Sequence, residues 1–99
     1  MPPRSRPRAP DPSLVVERVQ TGVRMERRLL KVLKALAEDL DLTLGDLLEG
    51  VVLHALEGKA PFSPRTRSRA AELARFYRLT LRAEHSHRLR EREGPIGEH

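Results

Sequence analysis

Between residues 44 and 56 the chain sets Leu44, Leu47, Leu48, Val51, Val52, Ala55 and Leu56 at helical spacing, with Gly58 behind them as a stop. A helix apolar on more than one face has too little surrounding chain to cover it, so this segment predicts burial against a second chain. Just upstream, Leu29, Leu33, Leu36 and Leu40 step by four, three and four, and Leu30, Val32 and Ala37 widen the stripe, predicting an amphipathic helix over Glu26 to Leu40. Asp41 and Leu42 leave room only for a tight corner. Thr43 followed three residues later by Asp46 resembles a capping box with Asp in place of Glu. A third helix is expected to open with Ser63 as N-cap and Pro64 at its first position and to run to Tyr77 or Arg78. Ala70, Leu73, Ala74 and Tyr77 form its apolar side, with Phe76 on the flank. Residues 83 to 92 predict one further short helix before Gly94 and Pro95.

Ahead of the helices the period changes. Val19, Thr21, Val23 and Met25 alternate with Arg18, Gln20, Gly22 and Arg24, the period of two that marks a half-buried strand. It has no partner strand elsewhere in the chain, and helical spacing of Leu14, Val15, Arg18 and Val19 is the competing reading. Residues 1–13, with five prolines in the first twelve, have almost nothing apolar to offset the entropy of ordering and are expected to be a disordered arm. The chain thus divides into that arm, a folding unit at 14–58 and a basic helical extension at 59–99 with a frayed end.

Charge follows the same division. Residues 1–24 carry a net +3, residues 25–58 a net −3 and residues 59–99 a net +5, and sixteen of the nineteen basic side chains are arginine. Two basic flanks around a mildly acidic apolar centre point to an anionic partner, nucleic acid first among them. The absence of cysteine excludes disulfides and thiolate metal sites. The longest apolar run, Val51 to Leu53, is far short of a membrane span, and no apolar stretch follows the arginines of the first residues, so a cytoplasmic, nucleoid-associated location is expected. His54 in the apolar helix and the pair His85 and His87 suit structural roles better than metal ligation, and no nucleophile motif or glycine-rich phosphate loop occurs. No enzyme activity, cofactor or metal is expected.

An unpaired strand, an amphipathic helix, a two-residue corner and an apolar helix make a unit that closes by symmetry, two copies pairing strands antiparallel and interlocking their second helices. The run from Val19 through Gln20, Thr21, Gly22, Val23, Arg24 and Met25, and onward to about Leu56, resembles the ribbon-helix-helix family of DNA-binding proteins over residues 18–57. The resemblance implies an intertwined homodimer, mainly helical, with one intermolecular two-stranded ribbon. It also implies a repressor that reads bases in the major groove of double-stranded DNA through Gln20, Gly22 and Arg24. The start of the second helix, at Thr43, Leu44 and Gly45, would clamp a phosphate, with Arg18, Arg27 and Arg28 as further phosphate contacts. Val23, Met25, Leu29, Leu33, Leu36, Leu47, Leu48, Val51 and Val52 would form the dimer core. Two features depart from the pattern: Gly22 has no side chain with which to read a base, and Asp41 stands at the corner where the family usually has glycine.

Two other classes compete with this reading. Leu73, Phe76, Tyr77 and Leu81 form a candidate surface for a protein partner, as in an antitoxin whose extension wraps a toxin. Alternatively the arginine arms pack nucleic acid without regard to sequence, which leaves Gln20 and Arg24 with no special part.

Overall fold

A computed structural model describes residues 11–92. Most of the arm expected at 1–13 and the end of the extension, residues 93–99, lie outside the described residues. Three helices of equal length follow one another, α1 (Arg27–Asp39), α2 (Leu44–Leu56) and α3 (Pro64–Phe76), and a single 3-10 turn spans Ala83–His85.

Each helix begins on a side-chain cap. The Glu26 carboxylate accepts the Leu29 amide at 2.8 Å, Thr43 Oγ1 accepts the Asp46 amide at 3.1 Å, and Ser63 Oγ accepts the Thr66 amide at 3.2 Å. These bonds satisfy amides that the first helical turn leaves without a partner. All three helices also end alike, with a residue in the left-handed region and an amide that reaches back five positions. Leu42 donates to the Ala37 carbonyl at 2.9 Å, Lys59 to His54 at 2.8 Å and Leu79 to Ala74 at 2.8 Å. The left-handed residues between are Asp41 (φ 57°), Gly58 (φ 72°) and Arg78 (φ 57°). This is the Schellman ending. Glycine, which adopts that conformation freely, serves only α2; Asp41 and Arg78 bear the steric cost of a side chain there.

α1 packs against both α2 and α3, which do not pack against each other. Its buried side, Val32, Leu36 and Ala37, meets Leu47 of α2 and Leu73 of α3. Leu36 is 1% exposed and sits at the centre. Phe62, Ala70, Tyr77 and Leu79 close the core from the α3 side, and Leu40, Leu42 and Val51 from the α2 side. The exposed faces of α1 and α3 are also tied by Arg69, which donates to Asp39 Oδ2.

The ribbon-helix-helix architecture expected from the sequence is not what the chain forms. No strand exists among the described residues, and the backbone of residues 14–25 makes only a local bond, from the Leu14 amide to the Asp11 carbonyl at 2.9 Å. The alternation at 19–25 lacks the condition that makes it a strand, an apolar surface for one face to lie on: Val19 and Val23 are as exposed as Gln20 and Arg24. Leu73 of the third helix, expected to belong to the extension, is buried in the same core as Leu36 and Leu47. Of the residues expected in a dimer core, Leu36 and Leu47 are buried within one chain, Leu33 and Val51 pack on that core, and Met25, Leu29 and Leu48 are half-buried. Val23 and Val52 are exposed. The helix expected at 83–92 is reduced to one 3-10 turn, and His87, at φ 66°, turns the chain out of helical geometry.

Because a single side chain joins both helix pairs, Leu36→Ala is expected to cost about 2–5 kcal/mol. That is comparable with the whole stability of a domain this small. Urea unfolding followed by circular dichroism should show loss of the cooperative transition or a large fall in its midpoint.

Candidate nucleic-acid interface

The extended segment that carries Gln20, Gly22 and Arg24 is held at its two ends. Near its start the Arg18 guanidinium makes a bidentate pair with Glu49, Nε to Oε2 at 2.9 Å and Nη2 to Oε1 at 2.8 Å, and lies 3.6 Å from Asp46. Near its finish Arg24 donates Nε to Glu91 Oε1 at 2.9 Å and Nη2 to the other oxygen. Hydrogen bonding and charge within these pairs raise both arginines further and hold the Glu49 and Glu91 carboxyls below the usual carboxylate range. Gln20 and Gly22 are exposed between the two anchors.

At the start of α2, where Thr43, Leu44 and Gly45 were expected to clamp a phosphate, the Asp46 amide is capped from within the chain. Thr43 Oγ1 takes the Asp46 amide, and Asp46 with Glu49 places two carboxylates at that end of the helix, balanced by Arg18. Leu44 turns half inward and Gly45 is exposed. The helix dipole there is already answered by acids of the same helix.

Cations gather elsewhere, in a cleft of about 1340 Å³ between the start of α1, the end of α3 and residues 89–92. Arg27, Arg28 and Lys31 come from α1, where spacings of three and four put them on one side of the helix. Arg78 comes from the left-handed residue that ends α3, Arg90 and Arg92 from the last described residues, and Arg24 from the extended segment. Two carboxylates share this wall, and both are engaged: Glu26 caps α1 and Glu91 pairs with Arg24. Arg28 Nη1 donates to the Arg78 carbonyl at 3.1 Å, which ties the start of α1 to the end of α3 and sets the width of the cleft. The side chains of Arg27, Lys31, Arg78, Arg90 and Arg92 form no ion pair among the described residues.

The cleft also has an apolar lip. Phe76 is 74% exposed, its ring edge-to-face with Tyr77 at a centroid distance of 5.0 Å, while Tyr77 packs on the core. Leu89 is exposed on the other side. Of the four residues expected to form a protein-binding surface, Leu73 is therefore buried, Tyr77 and Leu81 are half-buried and Phe76 alone stands clear. Outside the cleft lining, Val52, Leu53 and Leu56 of α2 are exposed.

The histidines serve the backbone locally: His54 Nδ1 lies 2.7 Å from the Gly50 carbonyl oxygen, and His85 Nδ1 accepts the Arg82 amide at 2.8 Å. No group of three potential metal ligands occurs among the described residues, and no helix there is long and apolar enough to cross a membrane.

Local patterns place Arg27 and Arg28 as candidate phosphate contacts, whereas Lys31 enters them only through the central charge balance. Nothing in the spacing of residues 27 to 92 announces that Lys31, Arg78, Arg90 and Arg92 converge. The sequence signal is the arginine content of the extension, without its geometry.

Glu26 stands where the cleft and the start of α1 meet. Burial raises its carboxyl, but the amides of Leu29, Arg28 and Arg27 and the charge of Arg28 lower it more, leaving it below its ordinary value of 4.5. A carboxyl lowered by folding stabilises fully above its unfolded value and loses that contribution as pH falls through the folded one. Stability is thus expected to fall with pH below about 4.5. Glu26→Gln should be less stable at neutral pH and show a shallower acid decline, read by thermal melts across an acid pH series. Parallel declines in the two proteins would remove Glu26 from the account.

Compared with models of protein families, with curated proteins and with solved structures, the chain matches none, so the functional reading stands on these residues.

Proposed function

We propose that this protein binds double-stranded DNA and acts as a transcriptional regulator, with the basic cleft as its phosphate-contacting surface. The observation that carries the reading is the surplus of cations in that cleft, where the two carboxylates among the described residues are engaged in a helix cap and an ion pair. Guanidinium groups suit phosphate oxygens because their planar donors bind them in pairs, and displacement of counterions from a duplex supplies much of the affinity. Gln20 and Arg24, exposed on an extended segment that runs into the cleft, are the side chains with the donors to address base edges. For Arg24 this requires exchange of Glu91 for DNA, a modest demand because the pair is exposed to water and screened by salt.

Duplex binding measured by fluorescence anisotropy over a salt series tests the reading. The paired substitution Arg27→Ala, Lys31→Ala should weaken binding to all sequences and lower the salt slope by about 0.9 for each phosphate no longer neutralised. Gln20→Ala, Arg24→Ala should instead erase any motif recovered by selection from a random duplex pool. Failure of the wild type to bind duplex at near-physiological salt overturns the proposal.

A second observation favours action as a dimer. Ten large apolar side chains are exposed among the described residues against four buried ones, and Val52, Leu53 and Leu56 form a run on α2 that holds no charge. A patch of this kind is self-complementary about a two-fold axis, the commonest closure of soluble oligomers. Light scattering at micromolar concentration should return twice the monomer mass, and Leu53→Glu, Leu56→Glu should return the monomer. A monomeric wild type removes this part of the reading.

A further inference from the structure

The cleft holds a feature that duplex binding leaves without use. Phe76 presents 74% of its surface to solvent, at the end of a helix beyond which Leu79 is anchored in the core. Tyr77 backs it edge-to-face at 5.0 Å. An aromatic ring so held has lost part of its freedom before any ligand arrives, which lowers the entropy cost of using it in binding. Around it stand Arg27, Arg28, Lys31, Arg78, Arg90 and Arg92. The cleft exceeds the roughly 300–1,000 Å³ of a small-molecule pocket, and its cations come from separate segments, the start of α1, the end of α3 and residues 90 and 92. That distribution suits a chain of phosphates rather than one phosphate.

We propose that this cleft takes an unpaired nucleic-acid strand, with a base stacked on Phe76 and the flanking phosphates on the surrounding cations. A base inside a duplex has both faces covered by its neighbours and offers Phe76 nothing but a groove edge. An unpaired base offers a whole face, and stacking is indifferent to which base it is. The polyanion alternatives lack the complement to the ring: inorganic polyphosphate and sulfated sugars satisfy the cations and leave Phe76 in water. The inference rests on the same basic cleft as the duplex reading, but it concerns a different ligand and a different residue.

The chain has no tryptophan, so Phe76→Trp introduces a single fluorophore at the proposed contact. With a short oligothymidylate, its fluorescence should be quenched on binding; with inorganic polyphosphate at matched phosphate concentration, it should stay unquenched. Phe76→Ala, at an exposed position, should retain the wild-type circular dichroism spectrum. It should bind the oligothymidylate about 5- to 100-fold more weakly while keeping wild-type affinity for a blunt duplex. Equal oligothymidylate affinity in Phe76→Ala and wild type overturns the proposal, as does equal quenching by polyphosphate. Duplex binding without oligothymidylate binding overturns it and leaves the duplex reading standing, whereas failure to bind either removes both. Oligothymidylate binding without duplex binding upholds the proposal and removes the duplex reading.

Discussion

Leu36, the most deeply buried side chain, shares one core cluster with Leu47 of α2 and Leu73 of α3, and burial in that cluster is what makes three short helices into one body. Each helix has 13 residues, near the lower limit at which an isolated helix persists in water, so none is expected to stand alone. α1 alone touches both of the others. The position of α2 relative to α3 is therefore set at second hand, through the shape of α1 and the sharp endings that let the chain reverse. Asp41 and Arg78 accept a left-handed conformation at those endings, where glycine is the easier choice, because the leucines that follow them, Leu42 and Leu79, gain a place on the core. The same two words, Leu42-Thr43-Leu44 and Leu79-Thr80-Leu81, stand at both places. A leucine just past a left-handed residue is the apolar contact that a Schellman ending uses.

The cleft is a by-product of this arrangement that has become charged. Once α3 lies along α1, the end of one helix comes beside the start of the other, and Arg28 bridges them by donating to the Arg78 carbonyl. A helix start ordinarily draws acids and a helix end draws bases. Here the start of α1 keeps only its capping Glu26 as an acid and otherwise displays Arg27, Arg28 and Lys31. The departure from the ordinary pattern costs α1 some stability and gives the cleft its potential. Glu26 apart, the acidic side chains of residues 25–58 are at the other end of α1, at the corner after it and on or just past α2, away from the cleft lining.

Much of the helical architecture was legible locally. The caps at Thr43 and Ser63, the proline at the first position of α3, the stop at Gly58 and the stripe that ends in Leu36 and Leu40 are all short-range devices, each resting on residues within a turn or two. The segment at 14–25 was not legible, for a reason of the same kind. Alternation says that a strand is possible; a partner and an apolar surface decide whether it forms. Val19, Thr21 and Val23 have neither here, and Arg18 and Arg24 hold the segment by ion pairs with residues 31 and 67 positions away. The candidate site lay beyond reach for the same cause: Arg27 and Lys31 share a side of α1, but no spacing links them to Arg24, Arg78 and Arg92.

The sequence by itself determined the three longer helices, the caps at Thr43 and Ser63, the stop at Gly58 and the excess of arginine, because these depend on side chains near one another along the chain. The tertiary structure alone decided that Leu73 of α3 is buried in one core with Leu36 and Leu47. It also decided that Phe76 is left in solvent while Tyr77 next to it is packed, and that cations from four separate segments share one wall. Those outcomes depend on which surfaces meet once α1 has packed against both of its neighbours, and packing between distant segments is settled by the competition among all of them for the same buried space.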